Sequence, residues 1–155
     1  MLQANPTSKQ RKTDGHFLIV ASKYNARYVD GMLQAAQETL KSAGAKWIRV
    51  VRVPGAYEIP VIAAQCARAR AEWAAIICLG VILRGETTHA QHIGEAVSRA
   101  LMEIQLQHGV PVIHEVLLLE NEAQAEVRCL GRKHNRGAEA AQTALEMAAV
   151  MKTLR

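Results

Sequence analysis

The ten residues AAIICLGVIL, Ala74 to Leu83, contain no charged or strongly polar side chain and follow neither a helical nor an alternating period. The run is far shorter than the roughly 20 residues a helix needs to cross a bilayer. It must therefore be buried in protein. A short apolar run of this kind reads as a strand covered on both faces, the habit of parallel sheets packed between helices. HFLIVAS (His16 to Ser22) has the same character, and KWIRVVRVPG and VPVIHEVLLL complete a set of four strands. The most apolar of the four, AAIICLGVIL, is expected at the centre of the sheet.

Helical spacing fills the intervals between them. Val29, Leu33, Ala36 and Leu40 mark one helix, with Gly44 as its stop. Ile62, Cys66 and Ala69 line a short helix from about Glu58, where Pro60 is tolerated because the first turn has no hydrogen bond to lose. Ile93, Val97, Ala100, Leu101 and Ile104 mark the next, starting at about His89. Asn121 and Gln124 form a capping pair for a short helix ending at Gly131, and Ala141, Leu145, Ala148 and Met151 mark a long C-terminal one. Strand–helix alternation of this sort is the α/β pattern, with helices on both faces of a parallel sheet. A chain of 155 residues suits one domain, residues 16–155. The polar, basic MLQANPTSKQRKTDG, residues 1–15, reads as a flexible arm with no apolar segment that would act as a secretory signal.

Composition narrows the function. The formal net charge of +5 invites nucleic acid, but one Phe, two Trp and three Tyr provide no stacking platform, and small anionic ligands account for the charge equally well. No run is long enough for a membrane span. Cys66, Cys78 and Cys129 are odd in number and irregular in spacing, which argues against a disulfide framework and for a reducing, cytoplasmic setting. Arg128, Arg132, Lys133 and Arg136 crowd into nine positions and form a candidate phosphate counter-charge.

Open α/β sheets bind ligands outside the carboxyl ends of their strands. At one such end stands LRGETTHAQHIGEA, Leu83 to Ala96. With a helix starting at His89, Thr88 is the N-cap and Gln91 its capping-box partner. The amides of the preceding turn are then free, Gly85 admits a ligand close to the backbone, and the helix dipole favours an anion. His89 beside such a cradle could move protons near neutral pH. On spacing alone the plainer reading comes first: Thr88 caps the helix and His89 is a partly exposed first-turn residue. The His89/His92 pair has no third ligand nearby, so no metal is expected.

Taken together, SKYN, VPGAYEIP, LGVILRGETTHAQHI, VPVI, ENEAQAEVR and NRGAEAAQTALEMA, in that order and spacing, resemble the lumazine synthase family over nearly everything from residue 17 onward. The resemblance implies a flavodoxin-like three-layer α/β/α sandwich with a four-stranded parallel sheet, and homo-oligomers built from pentamers with active sites between subunits. The implied reaction condenses 5-amino-6-(ribitylamino)uracil with 3,4-dihydroxy-2-butanone 4-phosphate to 6,7-dimethyl-8-ribityllumazine, without cofactor, metal, nucleic acid or membrane. It further implies that Tyr24 stacks on the pyrimidine, that Ala56, Tyr57 and Glu58 line the ribityl site, and that Val81, Ile82 and Leu83 meet the polar edge of the ring. Gly85, Glu86 and Thr87 would seat the phosphate, Arg128 of an adjoining subunit would neutralise it, and His89 would be the general acid and base.

The chain also departs from that pattern. His114 and Glu115 stand where the family usually has phenylalanine and glycine, so a stacking wall of the ring pocket becomes polar. Leu117 to Leu119 replace a hydroxyl-bearing LTT, Arg136 replaces a lysine, and Ala90-Gln91-His92 replace an aromatic-Asp-Tyr sequence. A paralogue of low activity, serving as a flavin-binding or structural assembly, is the rival expectation these changes raise.

Overall fold

A computed structural model describes residues 11–69 and 72–155. Residues 1–10, most of the expected arm, lie outside the described residues. The remaining piece of that arm is tied to the body: Thr13 N–H donates to Ala43 O at 2.9 Å and Lys46 N–H to Gly15 O at 3.0 Å.

The elements run β1 (His16–Ser22), α1 (Ala26–Ser42), β2 (Trp47–Val53), a 3-10 turn (Ala56–Glu58), α2 (Ile59–Arg68), β3 (Trp73–Leu83), α3 (His89–His108), β4 (Val112–Leu119), α4 (Glu122–Cys129) and α5 (Arg136–Lys152). The four strands form one parallel sheet in the order β2-β1-β3-β4. This is a flavodoxin-like three-layer α/β/α sandwich. AAIICLGVIL lies in β3, one of the two inner strands, as its composition requires. The edge strands are less uniform than expected, since β2 and β4 carry exposed or half-buried residues along their length. An edge strand has a neighbour on one side only and needs less cover.

Successive side chains of β1 and β3 point to opposite faces, so each strand feeds two cores. Phe17, Ile19, Ala75, Ile77 and Leu79 pack with α1, α4 and α5 through Val29, Met32, Leu40, Ala125, Ala141 and Leu145. Leu18, Val20, Ile76 and Cys78 pack with α2 and α3 through Ile59, Ala63, Val97, Leu101 and Ile104. Full burial of each Leu, Ile or Phe contributes about 1.5–3 kcal/mol, which fixes which way each strand faces. In α2 the deepest residues are Ile59 and Ala63; Ile62 and Cys66 are partly buried and Ala69 is exposed, so that helix is rotated from the face expected. Close packing of α5 on α1 depends on Gly137, because a Cβ there would overlap the Met32 carbonyl.

Two of the helix ends expected from sequence behave differently. Gly44 follows α1 at φ 96, a conformation suited to glycine, as anticipated. Asn121 Oδ1 accepts from Gln124 N–H at 3.0 Å, but α4 stops at Cys129, short of Gly131. At the start of α3 the expected capping box is absent. Thr88 is the N-cap residue without a side-chain cap; its Oγ1 stands 3.3 Å from His92 Nε2, and the Gln91 amide reaches forward to Glu95 at 3.0 Å. An imidazole one turn ahead competes successfully for the threonine hydroxyl.

Candidate active site

The chain leaves β1 toward β2 on one side and returns to β3 on the other. Such a reversal opens a crevice outside the carboxyl ends of β1 and β3. A cleft of about 740 Å³ lies there, lined by Tyr24 and Asn25 after β1, Gly55 to Glu58 after β2, Val81 to Leu83 of β3, and His89, His92, Ile93 and Ala96 of α3.

Each wall has a local cause. Asn25 takes the left-handed conformation, φ 58, which asparagine tolerates better than most residues. Its side-chain Nδ2 donates to Val81 O at 2.8 Å, pinning the turn after β1 to the end of β3. Arg52 holds the same turn from the other side, donating from Nε to Ala21 O at 3.2 Å and from Nη2 to Ser22 O at 2.9 Å while pairing with Asp30 at 2.8 Å. Tyr24 is thereby presented with an exposed ring. That ring lies against Gly55, where an added Cβ would come within 2.8 Å of it. Glu58 Oε2 accepts the Gly55 N–H at 3.1 Å, so one carboxylate oxygen braces the 3-10 turn while the side chain remains exposed in the cleft. Both readings of Glu58, ligand acceptor and N-terminal charge, are compatible with this geometry.

Ahead of α3 the turn from Arg84 to Thr88 is exposed. Arg84 N–H is taken by Leu119 O at 2.8 Å and His89 N–H by Thr87 Oγ1 at 3.3 Å, whereas the main-chain N–H groups of Gly85, Glu86 and Thr87 make no hydrogen bond among the described residues. A Cβ at Gly85 would meet nothing within 4 Å, so no other described residue occupies the space beside it. Free amides at the positive end of a 20-residue helix form a seat for an anion. His89, the first residue of that helix, lines the cleft and its ring has no hydrogen-bond partner among the described residues.

Of the residues singled out in the sequence, Tyr24, Ala56, Tyr57, Glu58, Val81, Ile82, Leu83 and His89 come together around the cleft, with Gly85, Glu86 and Thr87 in the adjoining turn. Arg128, His114 and Arg136 do not line the cleft of their own chain. Arg128 lies in the last turn of α4, on the opposite layer of the sandwich, and no member of the Arg128 to Arg136 cluster reaches across to His89. Arg136 opens α5, where Nη1 pairs with Glu139 at 2.9 Å and Nε stands 3.3 Å from Glu115 Oε1. His114 lies on the edge strand β4. Its Nδ1 accepts Val116 N–H at 3.2 Å, and Nε2 is 2.7 Å from Ser98 Oγ. Ser98 Oγ already donates to Gly94 O at 2.7 Å, so it must accept from Nε2–H, which fixes a neutral tautomer. Desolvation of the ring lowers its pKa below the ordinary imidazole value in the same sense.

Asn25, Gly55, His92, Ile93 and Ala96 also line the cleft and were not marked as site residues from sequence. A signal existed for His92, which follows His89 by three positions and so shares its helix face. Asn25 carries the weaker signal of asparagine at a strand-ending turn. Among the described residues there is no group of three or more potential metal ligands, and no helix is long and apolar enough to cross a membrane.

A sequence model of the 6,7-dimethyl-8-ribityllumazine synthases matches residues 14–152. The chain belongs to the 6,7-dimethyl-8-ribityllumazine synthase family. Relatives bearing that name include proteins of Xanthomonas campestris pv. campestris (strain B100), 42% identical over 146 residues, and Xylella fastidiosa (strain 9a5c), 41% identical over 146 residues; each alignment covers 93% of this chain and 94% of the relative. The similarly named protein of Stenotrophomonas maltophilia (strain R551-3) is 42% identical over 140 residues, covering 89% of this chain and 90% of its own length. The family match spans every wall of the cleft and the turn ahead of His89.

Proposed function

We propose that the chain catalyses the family's reaction in this cleft, condensing 5-amino-6-(ribitylamino)uracil with 3,4-dihydroxy-2-butanone 4-phosphate to give 6,7-dimethyl-8-ribityllumazine, phosphate and water. The observation that carries the reading is the set of amides at Gly85, Glu86 and Thr87, unengaged among the described residues, immediately before His89, whose ring has no partner among them, on the cleft wall. The uracil stacks on Tyr24, its polar edge meets the Val81–Leu83 backbone, and its ribityl hydroxyls meet Ala56, Tyr57 and the free oxygen of Glu58.

The substrate amine is itself the nucleophile, which leaves the protein to position the partners and to move protons. Attack of the amine on the ketone and loss of water give an imine. His89 then removes a proton from the carbon beside the imine as the phosphate departs onto the main-chain seat. It returns a proton to the terminal carbon, turning the enol left by elimination into a ketone, and the ribitylamino nitrogen closes on that new carbonyl with loss of a second water. No cofactor or metal enters these steps.

Arg84, beside the seat in sequence, pairs its guanidinium with Glu120 at 2.9 Å, and Arg128 lies half-buried in the last turn of α4. In a pentamer Arg128 of an adjoining subunit supplies the charge, with Arg136 nearby and the edge-strand His114 covering the ring. The free cysteines Cys66, Cys78 and Cys129 suit a reducing cytoplasm. Mixing the two substrates and following lumazine absorbance tests the reading. Turnover is expected, and His89→Ala should slow it by roughly tenfold or more. Tight flavin binding without turnover would replace this reading with that of an inactive paralogue.

A further inference from the structure

Two polar residues are buried among the described residues, Ser22 and Asn135, and Asn135 uses both ends of its amide. Its Oδ1 accepts the Gly137 N–H at 2.8 Å and the Ala138 N–H at 3.3 Å, which caps α5. Its Nδ2 donates to Cys129 O at 2.9 Å and, at 3.5 Å, to Gly31 O. With two main-chain donors on one side and two carbonyls on the other, the amide fits in one orientation only. A helix cap needs the oxygen alone. The nitrogen adds a tie from the start of α5 to the end of α4 and to α1.

What that tie holds is the end of α4 that carries Arg128. Arg128 immediately precedes Cys129 and Arg136 immediately follows Asn135, so the 2.9 Å bond governs how the two arginines stand to each other. The connection between the helices, Leu130 to His134, is exposed apart from half-buried Gly131 and turns through His134 at φ 64. Other ties of α4 to α1 lie further back: Tyr28 Oη donates to Glu122 at 2.9 Å, and Arg27 meets Glu126 at 3.2 Å in an exposed pair of the kind that contributes little. Both cations also act on one point. Burial pushes the Cys129 thiol up to about 11 and Glu115 adds to the rise, while Arg128 and Arg136 both pull it back. The two guanidinium groups therefore share a neighbourhood, and planar forks grip phosphate only when they are correctly placed.

We propose that Asn135 is a positioning residue for phosphate recognition: through Cys129 O it sets Arg128 against Arg136, so that the two guanidinium groups meet the phosphate seated on an adjoining subunit as one clamp. The inference rests on the reading of Arg128 given above. Asn135 itself touches no substrate.

The kinetics of Asn135→Asp test it, because that substitution separates the two halves of the side chain. A carboxylate still caps α5 and suits its dipole, but offers no donor to Cys129 O or Gly31 O. The Michaelis constant for the sugar phosphate should rise about fivefold, less than loss of a whole charged hydrogen bond would give. The constant for the uracil and kcat at saturation should stay unchanged. Asn135→Ser, which also caps but is too short to reach Cys129, should repeat the effect without adding a charge. On an Arg128→Ala background neither substitution should add to the loss, since nothing is left to position. An unchanged constant for the sugar phosphate overturns the inference. So does an equal rise for both substrates, full additivity with Arg128→Ala, or failure of both variants to fold, which would make the amide a stability device alone. If Arg128→Ala by itself leaves the sugar phosphate unaffected, the reading of Arg128 falls and takes this inference with it; if Arg128→Ala weakens that substrate while the Asn135 variants do not, only the inference falls.

Discussion

Replacing Glu115 by glutamine should stabilise the protein above neutral pH and leave it unchanged in mild acid. Glu115 sits on β4 facing α5 with its side chain only 13% exposed. Burial pushes its carboxyl from 4.5 up to about 7; Arg136 pulls the other way and Glu139 adds to the rise. The ion pair does not win, and the geometry gives the reason. Arg136 Nε is 3.3 Å from Glu115 Oε1 yet forms no hydrogen bond, and the guanidinium spends its aligned contact on Glu139. Below about pH 4.5 the group is protonated whether the chain is folded or not, and its burial carries no ionisation cost. Between 4.5 and about 7 the unfolded chain ionises first, so stability falls as pH rises, and above about 7 the whole cost is present. A shift of that size corresponds to about 3 kcal/mol, or a melting shift of about 6–12 °C for a chain of this length. Thermal melts of the protein at about pH 5 and about pH 8.5 read it directly: the wild type should lose stability between them and Glu115→Gln much less. A glutamine variant less stable than wild type at the higher pH would show that the contact with Arg136 outweighs desolvation, and would refute the reasoning.

Three other outcomes follow from the packing and the site. Gly137→Ala forces a Cβ onto the Met32 carbonyl and should separate α5 from α1, costing about 1–3 kcal/mol or more as overpacking does, seen as a lowered denaturation midpoint. Gly55→Ala displaces the Tyr24 ring and should raise the Michaelis constant for the uracil substrate while leaving that for the sugar phosphate unchanged; equal effects on both would show a general collapse of the cleft. Arg128→Ala should weaken the phosphate substrate about tenfold, in keeping with a charged hydrogen bond of about 1.5–3 kcal/mol, and an unaffected Michaelis constant would remove Arg128 from the site.

Much of the site was legible because its parts are punctuated locally. A buried apolar run ending in Arg84-Gly85-Glu86, followed by a helical period, announces a strand end, a free turn and a helix N-terminus in sequence order. What misled was competition among side chains. Thr88 and Gln91 satisfy the capping-box spacing, but whether they cap depends on where His92 and Glu95 place their own polar atoms. Asn25 offered only a weak signal, because its bond to Val81 joins residues 56 positions apart.

The sequence by itself determined that this chain would be a parallel α/β sandwich, a fold that opens a crevice at the carboxyl ends of its strands. Apolar periodicity and turn residues are local properties, and they limit the architecture severely. Tertiary structure decided which strand ends meet. The order β2-β1-β3-β4 sets Tyr24, Glu58 and His89 around one cleft and leaves Arg128 on the far layer, although Arg128 belongs to the same basic count. The physical reason is that strand order and the face each helix covers are set by the burial of two separate cores at once, a sum over contacts distant in the chain that no short window of residues contains.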